Sequence, residues 1–154
     1  MIITIADPAE WPVDLAYALE NNEGHEEVAI LLGVRTPELT TIHAAYGVAN
    51  VSPETRIRWA IAGPAYREAR DYGRTRGWIV LGHIHTHPGG GPPSAEDYRS
   101  LCTRHAYHAG YIGAVWDIPG ERIIWYGRAE LQSDPMPIPP GYRLSGPNPT
   151  VPTA

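Results

Sequence analysis

The chain contains no lysine; all twelve of its cationic side chains are arginines. It holds one cysteine, Cys102, so it can form no internal disulfide and no metal site closed by several thiolates. No apolar run approaches the roughly 20 residues needed to cross a bilayer, and Met1-Ile2-Ile3-Thr4-Ile5-Ala6-Asp7 lacks the basic start of a secretion leader. The expectation is a cytoplasmic protein without a membrane partner. There is no basic block, and the net charge is −5, so nucleic acid is not expected as a partner either. The missing lysine has a plain explanation in GC-rich coding, which favours arginine.

What is present fits one globular domain, with 154 residues of which 43% are hydrophobic. Its organising stretch is Gly82-His83-Ile84-His85-Thr86-His87-Pro88, followed by Gly89 to Pro93 and then Ser94-Ala95-Glu96-Asp97. Trp78-Ile79-Val80-Leu81 reads as a strand leading into it, and alternate side chains of a strand share a face. His85 and His87 therefore point the same way. The Gly/Pro run turns the chain, and Ser94 opens a helix with Asp97 in its first turn. Two imidazoles and a carboxylate make the ligand count of a catalytic zinc ion, which keeps a fourth position for water. Taken alone, a His-x-His pair reads as easily as two satisfied core histidines, and Ser94/Asp97 as a simple capping pair. The loop that returns Asp97 to the histidines favours a metal.

These residues resemble the JAMM (MPN-plus) zinc metalloproteases, whose signature is an upstream Glu, then His-Ser/Thr-His-Pro, a short loop and Ser-x-x-Asp. Here those positions are Glu26, His85-Thr86-His87-Pro88, Ser94 and Asp97. The resemblance runs from about Glu26 to Tyr126. Six residues separate His87 from Ser94, one fewer than the family usually has. The resemblance implies an α/β fold, a single MPN/JAMM-type domain whose mixed, curved sheet is flanked by helices, with the zinc site at a strand end and a helix start. It also implies a small deubiquitinase-like isopeptidase with Zn2+ as cofactor, held by His85, His87 and Asp97. Glu26 would be the base and Ser94 the oxyanion donor. The partner would be ubiquitin or a ubiquitin-like protein and its conjugates, cut after the C-terminal glycine. A lysine-free chain would escape conjugation in such company. Two alternatives stay open: a catalytically silent MPN scaffold, and a hydrolase that trims a sulfur-carrier protein. No long insertion follows Asp97, so strong linkage choice is not expected.

The base is chosen between neighbours. The family pattern sets its Glu three residues before a small residue and seven before a Gly; Ala29 and Gly33 fit Glu26 and not Glu27. His83 shares the ligand face by parity and is expected behind the ligands, where the family more often has an aromatic residue. His25, His43, His105 and His108 lack ligand spacing, and Thr86 points away.

Along the chain, strands are expected at Ile2 to Ile5, Val28 to Val34 (buried on both faces) and Thr40 to Tyr46, with a hairpin from Tyr111 to Tyr126 in which Trp116 and Trp125 pack. Helices are expected within Pro8 to Asn22, over most of Pro53 to Gly77, and from Ala95 to about His108 with Tyr98, Leu101 and Cys102 inward. The domain would span residues 1–133. Residues 134–154, crowded with proline, would be a tail without a core of its own.

Overall fold

A computed structural model describes residues 2–10, 24–105, 110–127 and 136–137. Among these, seven strands and two helices follow the order β1 (Ile2–Glu10), β2 (Val28–Arg35), β3 (Leu39–Val48), α1 (Gly63–Arg74), β4 (Ile79–His87), α2 (Ala95–His105), β5 (Ile112–Asp117), β6 (Arg122–Tyr126) and β7 (Met136–Pro137). They form one mixed sheet in the order β1-β3-β2-β4-β5-β6-β7. β1 runs parallel to β3 and β4 parallel to β5, and the remaining pairs are antiparallel. None of the helices described is long and apolar enough to cross a membrane.

The continuous apolar run of β2 places it centrally, between β3 and β4, and Val28 to Leu32 are all buried. Its far end emerges, leaving Val34 exposed against expectation. Leu31, Leu81, Ile84, Trp116 and Trp125 belong to a core on one face of the sheet. Ile30, Leu32 and Ala44 pack with Ala69 of α1 on the other. Leu101 of α2 closes a third cluster with Tyr111, Val115 and Tyr126.

A bulge sets the phase of the organising strand. Leu31 pairs with Gly82 but Leu32 with Val80, so Leu81 is the extra residue of β4. It joins Ile84 in the first core, while Val80 packs on the helix side. Beyond the bulge, His83, His85 and His87 share one face.

Three further expectations need correction. The helix expected over most of Pro53 to Gly77 begins only at Gly63, with Pro64 in its first turn. The segment before it is instead drawn to Asn50, whose side chain bonds the backbones of Arg58 and Ala60. Proline suits a helix start, where its missing N–H is not needed. The first strand, expected to end at Ile5, continues through an irregularity to pair Glu10 with Ala44. β1 is an edge strand, where Pro8 costs no ladder bond. The residues of the helix expected within Pro8 to Asn22, from Trp11 on, lie outside the described residues. Tyr98, expected inward, is 47% exposed and lies against Tyr126 at 5.4 Å between ring centroids. The burial of Cys102 also lies outside what is described. Of the proline-rich tail, Met136–Pro137 pairs with β6, and the rest lies outside the described residues.

Candidate metal centre

The site forms where β2 begins, β4 ends and α2 begins. In the β2/β4 ladder Val28 faces His85, and extending that register by two residues sets Glu26 across from His87. The backbone holds the extension: the Thr86 N–H donates to the Glu27 carbonyl, and the Glu27 N–H to the Thr86 hydroxyl, each at 2.9 Å. Glu27 thus falls on the opposite face. Its pKa is raised by burial, which the neighbouring His25 charge opposes. Glu26, not Glu27, meets the histidines, with Oε1 3.6 Å from His87 Nε2.

Asp97 arrives from α2 through a reciprocal cap. The Ser94 N–H donates to Asp97 Oδ2 at 2.7 Å, and the Asp97 N–H to Ser94 Oγ at 3.1 Å. The capping reading and the site reading therefore describe one geometry, because the cap aims the carboxylate at the strand end. Asp97 Oδ1 lies 3.2 Å from His85 Nε2, Oδ2 lies 3.4 Å from His87 Nε2, and the two Nε2 atoms are 3.1 Å apart. The loop from His87 to Ser94 is closed by Gly90 and Gly91, both at positive φ (81° and 102°). Gly91 turns its carbonyl onto His87 Nδ1 at 3.2 Å. A carbonyl only accepts, so Nδ1 carries a hydrogen and the ring is turned with Nε2 facing the site.

This donor set fits a metal ion. Glu26, His85 and His87 offer ligand atoms within 4.8 Å of one another, and Asp97 lies nearer still to both rings. Tetrahedral bonds of about 2.0–2.1 Å set ligand atoms about 3.3 Å apart, close to the spacings between the two imidazoles and Asp97. Two imidazole nitrogens aimed at each other can share at most one hydrogen, whereas a cation between them satisfies both lone pairs. Among the described residues, the buried Glu26 Oε2 also has no hydrogen-bond partner.

Burial sets the protonation of the cluster. Glu26 is 7% exposed, and desolvation lifts its pKa to about 7, opposed by the His87 charge and helped by Asp97. Burial also works against the Asp97 anion, but hydrogen bonds from His85 and His87, the His85 charge and the Ser94 N–H outweigh it. The carboxyl stays well below the usual range. His85 is pushed down by burial, against its bond to Asp97. For His87, burial is outweighed by Asp97, Gly91 and Glu26, and the pKa rises.

Asn50, Trp59 and the two tyrosines behind His83 were not foreseen from the sequence. Asn50 donates from Nδ2 to the Glu26 carbonyl at 2.8 Å and to the Arg58 carbonyl at 2.9 Å, while Oδ1 accepts from Ser52 and Ala60 at 3.1 and 3.0 Å. Asn50 reads in the sequence as a turn residue, and only the fold brings it to Glu26. Trp59 lies over His83 and His85, with centroids 4.2 and 5.5 Å away. His83, as expected, sits behind the ligands, but bonded to Tyr111 and Tyr126, which no local pattern announces.

A curled mixed sheet carrying a His-x-His strand end, a capped acid and a buried glutamate defines a JAB-type (JAMM/MPN) domain with a possible metal site. The chain belongs to the family described as prokaryotic homologs of the JAB domain, which matches residues 8–126. Among solved structures it is similar to protein DSY2949 from Desulfitobacterium hafniense, determined in solution, with 20% identity and a TM-score of 0.57. The match covers 82% of this chain and 86% of that one. At that identity the likeness is one of fold. No curated protein matches the chain.

Proposed function

We propose that this protein is a zinc metallopeptidase of the isopeptidase type, hydrolysing the amide bond after the C-terminal glycine of a ubiquitin-like protein. The observation that carries this reading is the convergence of His85, His87 and Asp97 beside the buried Glu26. His85, His87 and Asp97 would hold the ion. Glu26, with Oε1 3.6 Å from His87 Nε2, would stand slightly farther out and stay free to act on protons. A bound zinc ion would supply Lewis acidity, polarising the scissile carbonyl and acidifying the attacking water.

Glu26 takes a proton from that water as its oxygen bonds to the carbonyl carbon, then delivers it to the leaving nitrogen as the C–N bond breaks. Burial raises the proton affinity of this carboxyl, which suits a group that must take up a proton before passing it on. Ser94 Oγ already accepts the Asp97 N–H, so its own hydrogen remains to donate to the carbonyl oxygen as charge builds there. No covalent enzyme intermediate forms, and Cys102 takes no part. Family membership supports the substrate class, and a chain without lysine offers conjugating enzymes no ε-amine.

The test is turnover of a ubiquitin-like protein joined through its terminal Gly-Gly to a reporter amine. Cleavage after the second glycine that stops on chelation and returns with zinc supports the reading. A zinc-loaded protein that binds the conjugate without cutting it marks a scaffold instead.

A further inference from the structure

The two histidines of the centre are not held in the same way. His87 has its outer nitrogen fixed by the Gly91 carbonyl, the usual device for orienting a ligating imidazole. His85 has no such device: its Nδ1 is buried and has no hydrogen-bond partner among the described residues. Its ring is walled by aromatic groups. Trp59 stacks on it at 5.5 Å, His83 lies at 5.7 Å and Tyr126 stands edge-on at 6.3 Å.

His83 is the member that can fix that wall. It is wholly buried, and both ring nitrogens are bonded, Nδ1 to the Tyr111 hydroxyl at 3.1 Å and Nε2 to the Tyr126 hydroxyl at 2.7 Å. Those tyrosines lie just before β5 and at the end of β6, so one imidazole ties β4 to the next two strands of the sheet. A phenyl or indole ring at this position would fill the space but could not accept a hydrogen bond while donating another. The pinned ring then presents its face to Trp59 at 4.2 Å, and Trp59 in turn covers His85.

We propose that His83 is a positioning residue for His85, fixing the orientation of that imidazole through an aromatic cage anchored on two tyrosine hydroxyls in place of a hydrogen bond to His85 itself. This rests on the reading of His85 as a metal ligand. Loss of an outer partner of a metal ligand typically weakens the metal about 10–100-fold. The same loss is expected for His83→Phe, which keeps a ring against Trp59 but loses both anchors. Tyr126→Phe, which removes one oxygen, should give a smaller loss.

The experiment measures zinc affinity by chelator competition for the wild type and both variants, the visible spectrum of each with cobalt in place of zinc, and the thermal midpoint of each without metal. Weakened zinc binding with a shifted cobalt spectrum in folded variants is the expected result. Should His83→Phe fail to fold, Tyr126→Phe alone carries the test. Folded variants with wild-type affinity and spectrum, whatever their midpoints, would overturn the proposal and leave His83 a core residue. A wild-type protein that takes up neither metal would overturn the metal reading and this inference together.

Discussion

Replacing Asn50 by alanine tests whether the turn after β3 holds the glutamate of the site. Asn50 makes four hydrogen bonds, all to backbone groups, and its Nδ2 joins the Glu26 carbonyl to that of Arg58. At about 1 kcal/mol net for each neutral bond, and with some of the freed groups reaching water, Asn50→Ala should cost about 2–4 kcal/mol. For a domain of this size that lowers the melting midpoint by about 4–16 °C, readable by calorimetry. Glu26 keeps its own N–H bond to the Thr55 carbonyl at 2.7 Å, so it shifts and does not leave. A misplacement approaching 1 Å costs about 10²-fold, and the rate should fall between about 10-fold and that limit, with zinc retained. Asn50→Asp keeps the acceptor for Ser52 and Ala60 but sets an anion against two carbonyl oxygens. It should damage turnover at least as much as alanine. If Asn50→Ala melts lower yet turns over at the wild-type rate, Asn50 secures the loop and not the base; an unchanged midpoint would refute the clamp altogether.

Three further outcomes are expected. His85→Ala and Asp97→Ala each leave two of the three proposed ligands, so purified protein should lose zinc at micromolar chelator while remaining folded, and stoichiometric zinc in either would remove that residue from the ligand set. Gly82→Ala should destabilise by about 3 kcal/mol, at the upper end for overpacking, because a Cβ there would stand 1.8 Å from the Ile112 carbonyl oxygen and force β4 from β5; near-wild-type denaturant stability would contradict the register. An extended tail would dock as an added strand with its glycines against the site, so changing the last two glycines of the substrate to valine should abolish cleavage, and equal turnover would rule out a narrow channel.

Much of the centre was legible because strand and helix periodicities are local. The parity of His85 and His87 and the Ser94/Asp97 cap follow from spacing, the choice of Glu26 over Glu27 follows from the family resemblance, and the structure brings these side chains together. What escaped depended on distant partners. The Pro53 to Gly77 segment has apolar residues at helical intervals, but Ala60 and Ile61 precede α1 because Asn50 and Val51 hold the Ala60 backbone in an extended connection. The bulge at Leu81 follows from pairing with β2 and is invisible in β4 alone. Tyr98 looked inward on a helical wheel, yet it comes out on the exposed flank of α2 against Tyr126. His83 could be assigned a face but not its tyrosines, which lie 28 and 43 residues away.

The most direct measurement is a comparison of Glu26→Gln with Glu27→Gln, each assayed for zinc content, conjugate binding and single-turnover rate. Glutamine keeps the size and the hydrogen-bonding shape but cannot accept the proton. Glu26→Gln should retain zinc and binding while its rate falls by at least about 10²-fold, the scale for a positioned general base, and Glu27→Gln should stay near wild type. The reverse pattern, or a Glu26→Gln protein that turns over at the wild-type rate, would contradict that role for Glu26.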